Sequence, residues 1–180
     1  MSVWRNLTFG TAHAFGVGES MSAGTVNGDV IIDWEQPGDE TMKVKRLHDK
    51  AILPTKAHDG DLGYDLYSVD SLRLAPRATE TVKTGVAIQF PEGYGGIIKD
   101  RSSVSTKLKL FTVAGVIDNG YTGELHVAIY NASGFEQTIA PGQKIAQLVL
   151  IPVTNFQIQE VDDIETADGR GQDGFGSTGE

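Results

Sequence analysis

The sequence contains no cysteine among its 180 residues, so disulfide bonds and thiolate-bound metals are excluded. Basic residues are few, because 15 Lys and Arg stand against 24 Asp and Glu and leave a net charge of -9. This balance argues against non-specific binding to nucleic acid, which needs a broad basic surface. A small phosphorylated ligand is still compatible, since a few local cations can hold one. No metal-ligand spacing is found among the four histidines, His13, His48, His58 and His126.

Long apolar runs are also missing, and none approaches the ~20 residues of a membrane span. The first residues lack the cationic start and apolar stretch of a secretion signal. The length suits one domain with a full core rather than two. We therefore expect a soluble protein of the cytoplasm, or of the host cytoplasm if the source is viral, with neither a membrane nor a nucleic-acid partner.

Residues 1–41 differ in composition from the rest of the chain. They are rich in Gly, Ser and Thr and carry six acidic residues against one base, Arg5. Only Asp29–Trp34 is typical of a strand. We predict a flexible extension over 1–41, a β domain over 42–168 and a mobile, Gly-rich flap over 169–180. The alternatives for 1–41 are an integral part of the fold or a misassigned start codon.

From residue 42 onward, short runs of alternating hydrophobicity are separated by Gly-, Pro- and Asn-containing turns. In one of them Leu125, Val127 and Ile129 fall on one face. The single helix expected is a short one over 102–107. This pattern predicts an all-β sandwich, jelly roll or barrel, with strands at 43–47, 63–68, 71–74, 80–84, 86–90, 95–99, 109–113, 124–131, 136–139, 145–153 and 156–161.

Residues 115–124 are the most informative segment, because three glycines frame one carboxylate, Asp118, and one aromatic ring, Tyr121. Glycines at this spacing permit tight turns and close approach to a ligand. We expect a small hairpin with the acid and the ring on opposite arms, next to a pocket for a flat ring. A plain β-hairpin with a solvated Asp at its tip is the alternative.

Two other segments contain polar or charged residues of interest, and the first of them suggests how a phosphate would be bound. Arg101, Ser102 and Ser103 open the short helix, where a guanidinium, hydroxyls and backbone N–H groups form a phosphate seat. The alternative is an N-cap serine beside a surface Arg. Asp65 lies within an otherwise apolar strand and must find hydrogen-bond donors or lie at an edge.

Two further segments complete the set. Gln147 stands among apolar residues and, if buried, must bridge to a water, a phosphate or another side chain; the alternative is the exposed face of an edge strand. The terminal run suits a mobile flap that closes over a ligand, with candidate contacts at Arg170, Phe175, Ser177 and Thr178; a disordered Gly-rich C-terminus is the alternative.

Together, these five segments resemble the five ordered motifs of the homotrimeric dUTP pyrophosphatase (dUTPase) family over nearly all of 43–179. The third motif (115–124) and the fifth (170–179) are the most specific. The resemblance implies jelly-roll subunits in a homotrimer with active sites at the subunit interfaces. It also implies Mg²⁺-assisted hydrolysis of dUTP to dUMP and pyrophosphate, which limits uracil incorporation into DNA and supplies dUMP for dTMP synthesis.

The resemblance also assigns roles to residues. Asp118 would act as the general base for a water that attacks the α-phosphorus, with Asp65 supporting the acidic side of the site. Tyr121 would pack beneath the deoxyribose, and backbone groups near Gly115 would pair with uracil. Magnesium would be held by the substrate phosphates and waters, without direct protein ligands. The remaining substrate-binding residues implied are Arg101, Ser102, Ser103, Ile117, Gln147, Arg170, Phe175, Gly176, Ser177 and Thr178.

Thr112 departs from the family pattern, because many members have Asn at this position and Thr cannot contact the uracil edge in the same way. Discrimination between bases would then depend on backbone contacts. Two alternative functions are a dCTP deaminase of the related fold and a nucleotide-gated regulatory protein that uses 1–41 to contact a protein partner.

Overall fold

The computed structural model describes residues 21–26, 29–34 and 41–164, and in these ranges no helix is long and apolar enough to cross a membrane. One helix, α1 (Ser102–Leu108), accompanies twelve strands in the described ranges. The strands are β1 (Met21–Val26), β2 (Asp29–Trp34), β3 (Lys43–Arg46), β4 (Gly63–Tyr67), β5 (Leu72–Leu74), β6 (Thr79–Gln89), β7 (Tyr94–Lys99), β8 (Leu110–Thr112), β9 (Val116–Ile117), β10 (Glu124–Asn131), β11 (Gln137–Ile139) and β12 (Lys144–Pro152).

The strands form two four-stranded antiparallel sheets, in the orders β3-β6-β10-β8 and β4-β12-β7-β9. Two antiparallel pairs, β1-β2 and β5-β11, complete the described strands. The predicted β class is confirmed, and the described part of the chain is mostly β with antiparallel sheets. One apolar core receives side chains from both large sheets, from β5 and β11, and from α1. Its buried members are Leu66, Leu74, Val82, Ile88, Phe90, Ile98, Val104, Leu110, Leu125, Val127, Ile129, Ile139, Ile145, Ala146 and Leu148.

Strand β10 shows how alternation places the core. Leu125, Val127 and Ile129 are each at most 1% exposed, as their shared face predicted. Because β10 lies between β6 and β8, its inward side chains occupy the centre of one sheet.

Strand β6 replaces two predicted strands with one, because Gly85 interrupts the sequence pattern without ending the strand. Gly85 has a φ of 70°, and the pairing with β10 shifts register beside it. Residues of β10 accept the hydrogen bonds that the bulge would otherwise lack. The Gly85 N–H donates to the Glu124 carboxylate at 2.9 Å, and the Thr84 hydroxyl donates to the Leu125 carbonyl at 2.6 Å.

Two other assignments differ from the sequence pattern. The predicted strand over 156–161 is wrong: this stretch is not a strand, and its alternating apolar residues meet no partner strand in the described part of the chain. The two-residue strand β9 was missed because it is too short to show alternation.

Within the predicted N-terminal extension, the strand at Asp29–Trp34 is confirmed, and it pairs with the unpredicted strand β1. The flexibility predicted for 1–41 stays a prediction.

Candidate active site

Three segments converge at one end of the sheet β4-β12-β7-β9. Asp65 of β4 and Lys99 of β7 both lie opposite Gln147 of β12 in the strand register. The chain leaves β7 after Lys99 and turns through Asp100 and Arg101 into α1. Residues distant in sequence are thereby brought together by strand pairing.

Asp65 is the charged centre of this region. It is 8% exposed, and its two carboxylate oxygens lie 2.6 Å from Arg101 Nε and 2.7 Å from Lys144 Nζ. The predicted need of this carboxylate for donors is therefore met by two cations. The hydrogen bond that Lys144 donates to Asp65, together with the negative charge of that carboxylate, holds the pKa of Lys144 above its usual value. Two positive charges around one negative charge leave an excess of one positive charge within this three-residue cluster, and Asp61 places a second carboxylate on the wall of the neighbouring cavity.

A cavity of about 260 Å³ opens beside this cluster, and we call it the anion cavity. Its lining combines a guanidinium, a hydroxyl and an amide, which are groups that bind phosphate oxygens. Gln147 lies on a central strand, so the edge-strand alternative is wrong, and its Nε2 donates to the Asp100 carbonyl at 2.7 Å. The cavity is lined by Ala57, Asp61, Leu62, Gly63, Asp65, Arg101, Ser102 and Gln147.

Gly63 leaves room for the Gln147 amide. A Cβ atom at this position would lie 2.5 Å from the Gln147 Oε1 atom, closer than real Cβ contacts come. Any larger residue would displace the amide from the cavity wall.

The start of α1 contradicts the N-cap serine alternative. The N-cap is Arg101, in an extended conformation (φ −85°, ψ 136°) and without a side-chain cap. Its side chain is directed to Asp65 and is only 28% exposed. Ser102 and Ser103 are exposed in the first turn, where backbone N–H groups have no intrahelical acceptor. Ser102 lines the anion cavity and Ser103 does not.

The glycine-rich segment over 115–124, which we call the Asp118 loop, is not the predicted hairpin. Its first arm, β9, pairs with β7, whereas the second arm enters β10, which pairs with β6 and β8. The loop therefore crosses from one sheet to the other. It turns at Asn119 and Gly120, where Gly120 has a φ of 90° and the Tyr121 N–H donates to the Asp118 carbonyl at 3.2 Å.

The side chains of the Asp118 loop that the sequence predicted to be functional are open to solvent. Asp118 is exposed, and its carboxylate makes no hydrogen bond or ion pair with any residue that the structure describes. Tyr121 is 45% exposed, and its hydroxyl donates to the Glu124 carbonyl at 3.0 Å. A Cβ at Gly123 would lie 2.5 Å from that hydroxyl oxygen, so glycine leaves room for the ring.

Asn119 anchors this loop, and sequence reasoning missed it. Its Nδ2 donates to the Pro91 carbonyl at 2.9 Å and to the Tyr94 carbonyl at 2.5 Å. An amide nitrogen has two hydrogens, so both bonds can form together. In the sequence an Asn-Gly pair indicates only a turn, which hides the role of the side chain.

The structure thus brings some predicted site residues together and leaves others apart. Asp65, Arg101, Ser102 and Gln147 share the anion cavity, whereas Gly115, Ile117, Asp118 and Tyr121 belong to the Asp118 loop and do not line it. Among the residues described, no three His, Asp or Glu are grouped to hold a metal ion. The predicted flap residues lie outside the described residues: Arg170, Phe175, Gly176, Ser177 and Thr178.

Comparisons with known proteins match this chain to the dUTPase family, whose model covers residues 49–179. The deoxyuridine 5'-triphosphate nucleotidohydrolase of Clostridium novyi is 38% identical over 140 residues, which are 77% of this chain and 98% of that protein. The enzyme of the same name from Tropheryma whipplei is 40% identical over 141 residues, which are 77% of this chain and 96% of that protein.

Solved structures agree. The dUTPase of Staphylococcus bacteriophage 80alpha with dUpNHpp superposes with a TM-score of 0.73 at 33% identity and covers 77% of this chain and 98% of its own. A mutant dUTPase of phage phi11 of S. aureus, described with the coordination of a structural Mg(II) ion, has a TM-score of 0.66 at 31% identity and covers 70% of this chain and 99% of its own.

Proposed function

This chain belongs to the dUTPase family and hydrolyses dUTP, and we propose that Asp118 is the general base of the reaction. The observation that carries this proposal is an exposed carboxylate without an internal partner among the residues described, on a loop that Asn119 and the Tyr121 hydroxyl hold in place. A base must reach the proton it removes, and an acid already bound to a cation would be a poorer base. Asp118 would orient a water for attack on the α-phosphorus and accept its proton.

The anion cavity is the proposed binding site of the triphosphate. Arg101 would contact phosphate oxygens while Asp65 holds its guanidinium in position. Ser102 would donate its hydroxyl at the cavity wall, and Ser103 would act from the first turn of α1. Gln147, fixed through Asp100, would help to order the α-phosphate and the attacking water.

The Asp118 loop is the proposed binding site of the nucleoside. Backbone groups near Gly115 and Ile117 would pair with the uracil edge, and the Tyr121 ring would pack beneath the deoxyribose. Uracil and cytosine exchange a donor and an acceptor at this edge, so the wrong base leaves buried groups unpaired.

Magnesium is the proposed cofactor, bound by substrate phosphates and waters. The carboxylates of the cavity fit this arrangement, because both oxygens of Asp65 are taken by Arg101 and Lys144 and Asp61 Oδ2 accepts the Ala57 and His58 N–H groups. The ion would neutralise phosphate charge that an acidic protein with few cations cannot balance alone.

We further propose a homotrimer of jelly-roll subunits with active sites at their interfaces. The anion cavity and the Asp118 loop are separate in one chain, which a site shared between subunits would explain. In addition, Phe156, Ile158 and Ile164 are 84%, 100% and 86% exposed in the segment after β12. Apolar side chains at this density favour an interface. The flap over 169–180 would close the site, with Arg170, Phe175, Gly176, Ser177 and Thr178 on the nucleotide.

The test of Asp118 is the variant Asp118→Asn, with Asp70→Asn as a matched exposed acid outside the site. Pyrophosphate release from dUTP should fall about 100- to 10,000-fold in Asp118→Asn and stay unchanged in the control. Binding of a non-hydrolysable dUTP analogue should be retained, and unchanged turnover would refute the assignment. A panel with dCTP should release no ammonia, which separates the enzyme from a deaminase.

A regulatory role is a second candidate function, favoured by one comparison. The 80alpha phage dUTPase, 33% identical, is described as controlling transfer of virulence genes by a G protein-like mechanism. Here the family match begins at residue 49, which leaves 1–41 as the proposed contact with a protein partner. Pull-downs with the full chain and with a chain that lacks residues 1–41, each with and without dUTP, would test this. Partner binding that requires neither residues 1–41 nor dUTP would contradict it.

A further inference from the structure

We propose that Lys144 is a positioning residue for phosphate binding: it pairs with the second oxygen of Asp65, so that this carboxylate orients Arg101 without cancelling its charge. The inference rests on the proposed function, in which Arg101 contacts phosphate oxygens of dUTP. Lys144 does not line the anion cavity, so it would act through Asp65 and Arg101 and not by touching the substrate. All the contacts used here lie within one chain and in the phosphate-binding region alone.

The first step is a β-bulge that brings Lys144 to the side of Asp65. In the pairing of β4 with β12, Gln147 lies opposite Asp65 and Lys144 lies opposite Tyr67, because the register shifts between Lys144 and Ala146. The bulge therefore inserts one extra residue into β12. Side chains alternate between the two faces of a strand, so without the insertion Lys144 and Gln147 would point to opposite faces. With it, both lie on the Asp65 face.

The second step is the division of the Asp65 carboxylate between two partners. Its Oδ1 lies 2.6 Å from Arg101 Nε, and its Oδ2 lies 2.7 Å from Lys144 Nζ. Contacts at both oxygens fix the orientation of the carboxylate. Among the residues described, Asp65 alone pairs with the Arg101 side chain. One carboxylate accepts from only some of the N–H donors of a guanidinium, so the others remain for a ligand in the anion cavity.

The neighbours of Lys144 direct its ammonium group to Asp65. Lys144 Nζ lies 5.8 Å from the centroid of the Tyr67 ring, within the range of attraction between a cation and an aromatic face. The Tyr67 hydroxyl forms a hydrogen bond of 2.6 Å with the Thr55 hydroxyl, which holds the ring. The ring and the carboxylate together fix the end of a long side chain.

Other charged groups near the anion cavity have different surroundings. Asp61 Oδ2 accepts two backbone N–H groups of its own loop. Asp100 directs its carboxylate to Thr112, from which it accepts the N–H and the hydroxyl. Lys99 is exposed and forms no ion pair with a described residue. Because none of these groups contacts the Asp65 carboxylate, its charge is offset by Arg101 and Lys144.

The third step is the charge that this cluster presents to phosphates. Asp65 and Arg101 alone would form a pair without net charge, and a phosphate would meet a guanidinium already neutralised by a carboxylate. With Lys144 in the cluster, one positive charge remains to attract the ligand. The Lys144 side chain is 38% exposed, so its ion pair adds little to stability. Its loss should therefore affect phosphate binding more than folding.

The test compares Lys144→Met with Lys144→Arg, which keeps a cation that can pair with Asp65. In Lys144→Met, the Kd of a non-hydrolysable dUTP analogue and the KM for dUTP should rise about tenfold, with a smaller change in kcat. The inhibition constant of deoxyuridine, which carries no phosphate, should stay unchanged. Lys144→Arg should recover most of the affinity for the analogue.

The matched control is Lys50→Met, which removes an exposed lysine in a turn outside the site and should change none of these values. Equal losses of affinity for deoxyuridine and the dUTP analogue in Lys144→Met would assign Lys144 a purely structural role and overturn the proposal. Unchanged affinity for both would overturn it as well. If Lys144→Met does not fold, the same comparison in Lys144→Gln, which keeps a polar side chain without the charge, decides.

Failure of the proposed function gives a different result. Arg101→Ala should raise the Kd of the dUTP analogue at least as much as Lys144→Met, because Lys144 acts through Arg101. An unchanged Kd in Arg101→Ala would refute the phosphate contact of Arg101 itself. A raised Kd in Arg101→Ala with an unchanged Kd in Lys144→Met would refute the role of Lys144 alone.

Discussion

The anion cavity and the Asp118 loop show opposite ways of placing charge in one protein. In the cavity, Asp65 is 8% exposed and contacts two cations, Arg101 and Lys144. In the loop, Asp118 is exposed and its carboxylate has no partner among the residues described. One carboxylate is neutralised within its own chain, and the other is left open.

This difference follows from the cost of burying charge. A buried carboxylate must be paired, since removing one partner of a buried pair typically costs about 3–5 kcal/mol. A carboxylate that takes a proton from water must stay accessible instead. Rigidity is then supplied by neighbours: Asn119 fixes the backbone beside Asp118, and Gly123 leaves room for Tyr121. The proposed phosphate-binding region is thus neutralised within one chain, whereas the proposed nucleoside-binding region is left open to a ligand.

The largest effect is expected when the anion cavity is disabled on one subunit and the Asp118 loop on another subunit of the same oligomer. Asp118→Asn and Arg101→Ala should each lose at least about 100-fold in turnover, the first by loss of the base and the second by loss of a phosphate contact. Co-expression of the two with different tags should restore activity in mixed oligomers, because some shared sites combine an intact Asp118 with an intact Arg101. Pyrophosphate release from doubly tag-purified protein measures this.

No recovery in verified mixed oligomers would place each complete site within one chain. Light scattering on the wild type should give the mass of a trimer, and a fully active monomer would contradict the shared site.

A second large effect is expected from deletion of residues 169–180. If these residues close the site, turnover should fall about 100-fold or more while the domain stays folded. Thermal unfolding by circular dichroism serves as the control, and its midpoint should match that of the full chain. Full activity in the truncated protein would show that no flap is needed.

A smaller effect is expected from Asn119, because it acts through the position of Asp118. Loss of its two hydrogen bonds in Asn119→Ala should lower kcat about tenfold with little change in the KM for dUTP. Asn119→Asp keeps the size of the side chain but places a carboxylate against the Pro91 and Tyr94 carbonyls. Its kcat should therefore be lower than that of Asn119→Ala. Equal kcat in all three proteins would mean that Asn119 does not position the base.

The smallest effect is expected on the free energy of unfolding and its pH dependence, through Glu124 at the β6 bulge. Burial raises the pKa of Glu124, but the hydrogen bond from Gly85 and the nearby His126 outweigh it and hold this pKa below its ordinary value. A depressed pKa means stabilisation that is present at neutral pH and is lost as the pH falls through the folded-state pKa. Glu124→Gln should therefore cost about 1 kcal/mol of unfolding free energy at pH 7.

At a pH below the folded-state pKa of Glu124, which lies under the ~4.3 of an unfolded Glu carboxyl, both states are protonated and the two proteins should converge. Denaturant unfolding at both pH values measures the difference. A constant difference across this range would assign the loss to packing instead of charge.

Much of the fold was predictable because alternation and turn residues report burial directly. Leu125, Val127 and Ile129 lie in the core as their spacing indicated. The errors arose where tertiary contacts override local pattern: Gly85 bends β6 without ending it, and the apolar run at 156–161 pairs with no described strand. A glycine bulge and a strand end have the same local signature, so only the pairing partner separates them.

The candidate site divides in the same way. Residue chemistry pointed to Asp65, Arg101, Gln147, Asp118 and Tyr121, and their order resembled one enzyme family. Asn119 and Asp100 could not be found from the sequence, because their partners lie between 12 and 47 residues away. Short polar side chains in turns normally bond to their own neighbours, which hides such long-range anchors.

Side-chain type and period specify an all-β chain, its core faces and the chemical groups available to a phosphorylated ligand, so these features could be predicted without a structure. The tertiary structure alone decided which groups meet: it paired Asp65 with two cations, crossed the Asp118 loop between sheets and tied Thr112 and Gln147 to Asp100. Hydrogen bonds and ion pairs act over about 3 Å, and only the register of strands distant in sequence brings atoms to that separation.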